Sequence, residues 1–290
     1  MCDIIIKYIE VKKEGHRMDY IKTMILGLVQ GLTEFLPVSS SGHLAIFKEI
    51  LGADALKASL TMDILLHVGT LMAVFLVYYK DILMLIREFF AMVWDLLRGK
   101  PDFSAPYRRF VIMVVVGSIP AAVVGILLKD FISELPLLYV GIALFVTAAL
   151  LYLSDRLPKG KKDMATASYP SALLVGLFQG FAILPGISRS GSTIVGATVA
   201  GYTRAFAVKF SFILSIPAIL GAAVLDLAEV LSTGGFNIPW GEALLGMAVA
   251  AISGFIAIRW LIKLVQNSKF HYFSYYCILA GIGAIILYFI

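Results

Sequence analysis

Apolar residues along this chain fall in blocks long enough to cross a bilayer as helices, which takes about 20 residues. Six such runs cover about Leu60–Tyr79, Val111–Leu128, Leu137–Leu153, Phe210–Leu225, Ala243–Ile258 and Tyr272–Ile290. A shorter stretch, Ile82–Leu97, carries Arg87 and Asp95. It predicts either an interfacial helix or a span whose charges face protein.

Two further stretches break the pattern. Thr23–Phe47 is apolar but interrupted by Pro37, three consecutive serines and Gly42, and its single carboxylate is Glu34. Met164–Thr203 is interrupted by Pro185-Gly186 and a Ser/Gly run, and its single charge is Arg189. Proline removes a backbone donor and a Gly/Ser run frees backbone groups, so neither stretch can be one continuous helix. Such backbone is tolerated at membrane depth only where protein buries it or it lines a wet cavity. Both stretches therefore predict helix–loop–helix hairpins that dip into the membrane and return.

The two stretches also match each other. Gly27-Leu-Val-Gln30-Gly31 repeats as Gly176-Leu-Phe-Gln179-Gly180, and Ser41-Gly42 repeats as Ser190-Gly191. Leu36-Pro37 pairs with Leu184-Pro185 after a one-residue slip. An offset of 149 residues, about half the chain, points to an internal duplication.

Composition fixes the class. The 290 residues are 60% hydrophobic and 15% charged, where soluble domains carry roughly a quarter charged residues. The predicted fold is all-α, a polytopic membrane helical bundle. The net charge of +5 does not point to nucleic acid, because the basic residues sit in short segments between apolar runs. Residues 80–109, 156–162 and the points Arg204, Lys209, Arg259, Lys263 and Lys269 are basic, whereas 130–134 and 229–242 contain no Lys or Arg. Basic segments placed in the cytoplasm give two halves of opposite orientation, an inverted-topology repeat with re-entrant hairpins meeting near the midplane. Residues 1–17 are mixed and charged without a signal peptide's apolar core, and Met18 opens a more typical start. We expect 1–17 to be an extension outside the fold and 18–290 to form one transmembrane domain, with halves of about 18–160 and 164–290. That scheme leaves the basic extension on the wrong side of the charge rule. Cys2 and Cys277 are too few and too distant for a disulfide or metal framework and read as small apolar filler.

Polar groups inside a membrane are costly, so each is a functional candidate. The first hairpin offers Gln30, Thr33, Glu34, Ser39, Ser40, Ser41 and His43, with Gln30 and Glu34 four apart on one helix face. The second offers Gln179 and the run Ser188-Arg189-Ser190-Gly191-Ser192-Thr193. A Gly/Ser loop opening into a helix exposes amide N–H groups to anions, and arginine adds a planar fork suited to phosphate oxygens. These features predict an anion site for phosphate, and alone they do not imply hydrolysis.

The segment Gln30-Gly-Leu-Thr-Glu34-Phe-Leu-Pro-Val-Ser39-Ser40-Ser41-Gly-His43 resembles the (E/Q)xxxE…SS(S/T)GH signature of undecaprenyl-pyrophosphate phosphatases. Pro185-Gly-Ile-Ser-Arg189-Ser-Gly-Ser-Thr193 resembles the PGxSRSxxT motif of the same family. The resemblance runs from about Met18 to the end. It implies hydrolysis of a C55 polyprenyl diphosphate carrier to the monophosphate for cell-wall recycling, bacitracin resistance, and an inverted-repeat fold. It also implies a divalent cation, Mg²⁺ first and Ca²⁺ second. Carried over residue by residue, Glu34 is the catalytic acid or base and the metal ligand, with Ser40, His43 and Arg189 as its catalytic companions. Gln30, Ser39, Ser188, Ser190 and Thr193 become substrate contacts. Gln30 stands where many members have a second glutamate, which puts two-carboxylate metal binding in question. The nucleophile stays open among water, serine and His43.

The resemblance further implies a bacterial plasma membrane, a site opening outward, and polyprenyl diphosphate and membrane lipids as partners. A homodimer is the assembly to be tested. Bland readings stand beside the sharp ones: Glu34 capping loop amides, Arg189 neutralising Glu34, His43 donating to a loop carbonyl, serines capping helices. His67 and Asp63 fit a polar pair inside the bundle as readily as support for the site. Asp226 reads as interfacial, and His16 and His271 as surface residues. The rival function is a polyprenyl-phosphate flippase or transporter, because facing broken helices also build transporters. The PAP2 phosphatases are set aside: no histidine follows Arg189 until His271.

Overall fold

The structure, a computed structural model, describes residues 20–51, 59–133, 135–232, 240–265 and 270–290. The expected extension, residues 1–17, lies outside them. Among the described residues the regular elements are all helices, with one isolated bridge between Lys162 and Tyr202. They run α1 (20–35), α2 (Ser40–Leu51), α3 (Ser59–Leu97), α4 (Pro106–Ser133) and α5 (Leu137–Ser154). The second half adds α6 (Tyr169–Phe181), α7 (Arg189–Val199), α8 (Arg204–Ser232), α9 (Trp240–Val265) and α10 (His271–Phe289).

Six helices, α3, α4, α5, α8, α9 and α10, are long and apolar enough to cross a membrane. Their outer faces carry large exposed apolar side chains such as Leu76, Leu127, Val224 and Ile252. In water such a surface would aggregate; against acyl chains it is the ordinary finish. Ile82–Leu97 forms the second helical stretch of α3, beyond a kink that separates it from the first. It continues α3, whose helical geometry breaks only at Tyr78 (φ −109°, ψ 22°). Its acids do face protein: Arg108 pairs with Glu88 at 3.0 Å and Asp95 at 2.8 Å. Arg87 is exposed.

Among the described residues the other four helices are shorter and join in pairs, α1 with α2 and α6 with α7, as helix–loop–helix hairpins. In α1 the buried positions Thr23, Leu26, Gly27, Gln30, Gly31 and Glu34 recur at helical spacing, so one face is turned inward. Pro37 disfavours helical backbone just before it, and α1 ends at residue 35. The α6–α7 hairpin starts with a capping box of Ser168 and Ser171. Its return is pinned beside its start: the Lys161 and Lys162 amides donate to Gly201 O, and the Thr203 amide donates to Lys162 O.

Close packing rests on small residues in matched places. A β-carbon on Gly27 of α1 would lie 2.5 Å from Gly246 O of α9, and one on Gly176 of α6 would lie 2.4 Å from Gly117 O of α4. A β-carbon on Gly141 of α5 would lie 3.0 Å from Gly281 O of α10, and one on Gly281 would lie 2.9 Å from Gly141 O. Glycines thus set the approach where α1 meets α9, α6 meets α4 and α5 meets α10. Without a hydrophobic drive between spans, such backbone proximity supplies the dispersion contact that holds helices together. Phe35 and Tyr78 pack edge-on against Phe212, at 5.4 and 6.3 Å between ring centres. This apolar cluster sits directly next to Glu34 along α1.

Candidate active site

Two serines prepare the site. Ser39 caps α2, its Oγ accepting from the Gly42 amide at 3.2 Å, and Ser188 caps α7 in the same way from Gly191 at 3.0 Å. Each cap also lies near the hydroxyl two residues on, Ser39 with Ser41 at 3.3 Å and Ser188 with Ser190 at 3.2 Å. The two hairpins therefore present equivalent serine-capped helix N-termini. Ser39 has φ +71°, a left-handed backbone uncommon outside glycine. Such strain persists where the surrounding structure over-determines it, most often at functional sites.

The hairpins touch loop to loop. Ser190 Oγ donates to Leu36 O at 3.1 Å, and a β-carbon on Gly42 would meet Gly186 Cα at 3.2 Å. Across this contact Arg189, at the first turn of α7, forms an ion pair with Glu34 of α1. The carboxylate is a hub: Gln30 Nε2 donates to Oε2 at 3.0 Å and Ser40 Oγ donates to the same oxygen at 2.5 Å. Glu34 is 6% exposed, so a charge there requires these partners.

His43 is close in sequence but turned elsewhere. Its Nδ1 donates to Ser39 O at 2.8 Å, which leaves Nε2 to meet the Tyr276 hydroxyl of α10, also at 2.8 Å. The two rings stack at 5.4 Å and 8°. Thr193 faces away from the Glu34 hub: its Oγ1 donates to Arg189 O and lies 2.5 Å from Ser211 Oγ of α8. The structure thus gathers Gln30, Glu34, Ser40 and Arg189 in one cluster, rings it with Ser39, Ser188 and Ser190, and sets His43 and Thr193 on adjoining supports.

Four residues complete the site. Tyr276 sits in an apolar span where an aromatic carries no signal. Thr147 of α5 accepts from the Ser188 amide at 3.0 Å and donates to Gly186 O at 2.9 Å, so it fixes the loop ahead of Arg189. Its hydroxyl within the run Leu137–Leu153 was the signal available. Ser211 supports Thr193. His67 of α3, weighed in the sequence either as a polar pair with Asp63 or as support for the site, donates from Nδ1 to Asp63 O at 2.8 Å and brings Nε2 to 4.0 Å from Glu34 Oε2. Asp63 binds Lys48 instead, at 2.6 Å.

The donor set can be weighed against the expected divalent cation. Among the described residues no three His, Cys, Asp or Glu side chains cluster as a metal cage. Gln30 Oε1, however, is buried without a hydrogen-bond partner beside the Glu34 carboxylate. One carboxylate plus one hard amide oxygen suits an ion that takes its remaining ligands from phosphate and water, the habit of Mg²⁺.

Comparison with known proteins bears on this geometry. A family profile described as Bacitracin resistance protein BacA matches residues 23–283. The chain is 45% identical to an undecaprenyl-diphosphatase of Alkaliphilus metalliredigens over 262 residues, covering 89% of this chain and 95% of that protein. It is 41% identical to the undecaprenyl-diphosphatase of Halothermothrix orenii, covering 93% and 98%, and 44% identical to that of Methanobrevibacter smithii, covering 91% and 96%. The match spans both hairpins and every spanning helix, and the chain belongs to the BacA family of bacitracin resistance proteins.

Proposed function

We propose that this chain is a membrane-embedded phosphatase that converts undecaprenyl diphosphate to the monophosphate and inorganic phosphate, the activity its relatives' name describes. The observation that carries it is the Glu34–Arg189 pair, assembled from two hairpins at two serine-capped helix N-termini. An arginine fork and helix N-terminal amides recognise a diphosphate, and a buried carboxylate with a hydroxyl on it can start phosphoryl transfer.

Glu34 neutralises Arg189 in the free enzyme. A diphosphate at the α7 N-terminus offers that guanidinium a stronger partner and releases the carboxylate to act as base. Ser40 Oγ already points its proton at Glu34 Oε2. Ser40 Oγ then attacks the terminal phosphorus, Glu34 takes the hydroxyl proton, and the bond from phosphorus to the bridging oxygen breaks. The lipid monophosphate leaves with that bond's electrons. Water hydrolyses the phosphoserine, yielding phosphate and restoring Ser40. Arg189 and the loop amides lower the barrier by holding the transferring oxygens with preorganised donors. His43, with Nε2 committed to Tyr276, orients the Ser39–Ser40 turn rather than attacking. Glu34 and Gln30 Oε1 would hold a divalent cation, which when bound neutralises charge on the diphosphate.

The fold is best read as an inverted repeat with re-entrant hairpins. The α6–α7 hairpin leaves and regains the basic stretch 159–162, supporting entry from the cytoplasmic face. At the other end α1 starts with the Tyr20 hydroxyl by Gly241, next to the Lys/Arg-free stretch 229–242. The α6–α7 loop shares a cleft with Phe131 and Leu135, beside the other Lys/Arg-free stretch. These placements favour a plasma-membrane protein whose site opens outward. The transport alternative gains nothing from the relatives, whose names describe phosphate release.

The test is phosphate release from undecaprenyl diphosphate by purified protein in detergent, with acid quench to trap phosphoserine. Ser40→Ala should abolish both turnover and label. Turnover without label in the wild type moves the attack to water, and absence of turnover in the wild type overturns the reading.

A further inference from the structure

A cleft of about 530 Å³ runs along the outside of the protein next to the second hairpin. This falls within the roughly 300–1,000 Å³ usual for ligand pockets. One wall is Tyr139, Ile142 and Val146, spaced three and four apart on a single face of α5. The opposite wall is Phe181, Leu184 and Ile187 of the hairpin. Every lining side chain is apolar apart from the Tyr139 phenol, and the α5 wall is exposed at its surface although α5 is a spanning helix. The cleft is therefore open to acyl chains along its length.

Its position relative to the anion site gives it meaning. Ile187 lines the cleft and the next residue, Ser188, caps the helix that begins with Arg189. Thr147 follows Val146 on α5 and grips both sides of that junction, accepting from the Ser188 amide and donating to Gly186 O. One rigid peptide thus forms the wall of an apolar groove and, a residue later, the phosphate end of a polar site.

We infer that this groove binds the isoprene units nearest the diphosphate, so that the polyprenyl tail lies along α5 while its head rests at Arg189. The inference rests on the phosphatase reading and adds where the lipid's apolar part is held. From Tyr139 to Val146 the α5 wall is about 10 Å long at helical rise, enough for the start of the tail and not the whole of it. The remainder of the chain stays in the bilayer.

The test compares undecaprenyl diphosphate (C55) with isopentenyl diphosphate (C5) for wild type, Ile142→Trp, the smaller intrusion Val146→Phe, and a control, Ile256→Trp, on the exposed face of α9. Filling the groove should raise the C55 KM about tenfold, equal to about 1.4 kcal/mol of lost contact, while C5 turnover and the control stay at wild-type values. Unchanged C55 KM in both groove variants would mean ordinary bilayer lipid fills the cleft and overturns the inference. A rise for C5 in step with C55 in both variants overturns it too, since the damage would then be to the head site. Wild type that releases no phosphate from either substrate sinks the phosphatase reading and this inference with it.

Discussion

Arg189 and Glu34 stand 155 positions apart and form an ion pair across the contact of two hairpins. Each side chain is the single full charge in its broken apolar stretch. Burying either alone would be expensive, and pairing them leaves the pair free to exchange a partner for phosphate. Glu34→Gln and Arg189→Ala should each lower kcat for phosphate release by about 10²–10³-fold, the loss typical of removing one preorganised charge-stabilising group. Arg189→Lys should recover only part, because an ammonium lacks the planar fork. Near-full turnover in either neutral variant would show that the pair is structural.

Gln30→Glu adds a second carboxylate where a buried oxygen beside Glu34 lacks a hydrogen-bond partner. If a divalent cation joins Glu34 there, the variant should reach half-maximal activity at several-fold lower Mg²⁺, since affinity follows ligand charge. Without Mg²⁺ it should be less active than wild type, because two buried carboxylates then repel. An unchanged Mg²⁺ titration would remove Gln30 from the metal site.

Tyr276→Phe keeps the ring stacked on His43 and deletes the hydroxyl bonded to Nε2. A neutral hydrogen bond contributes about 0.5–1.5 kcal/mol, so kcat should fall several-fold with KM little changed. In a His43→Ala background the same substitution should do nothing further, since the two act as a unit. Full additivity would mean that Tyr276 acts without His43.

The glycines at helix crossings should separate from those facing lipid. Gly27→Ala and Gly176→Ala drive a methyl into a carbonyl at 2.5 and 2.4 Å. Each should cost about 1–3 kcal/mol as overpacking does, read as a lower midpoint of thermal unfolding in detergent. Gly221→Ala, with nothing within 4 Å, should be neutral or slightly stabilising. Equal effects at all three would argue against backbone contact as the source of packing.

Much of the fold was legible because bilayers impose length and hydropathy directly. The run Leu137–Leu153 became α5 to within one residue, and Phe210–Leu225 became the middle of α8, which extends about two turns beyond it at each end. The Ile82–Leu97 stretch was left between two readings, and the partner of its acids, Arg108 of a different helix, which pairs with Glu88 and Asp95, was not legible in it. The broken hairpins were legible from Pro37 and Pro185-Gly186. Glu34, Ser40 and Arg189 were legible as unexplained polarity in apolar surroundings. Tyr276 and Ser211 were not, since neither interrupts its apolar run and the partners that give them meaning, His43 and Thr193, come from other helices.

By itself the order of residues determined the solvent, the six long apolar runs, the two interruptions and the chemistry each interruption carries. These follow from local rules, apolar length against bilayer thickness and proline against helix, which need no partner to operate. Which interruption meets which, that Ser40 rather than His43 lies on the carboxylate, and that Thr147 ties an apolar groove to an arginine were decided in three dimensions. Those relations depend on side-chain direction and on contacts between separate helices, and where helices cross a glycine's missing methyl sets the approach.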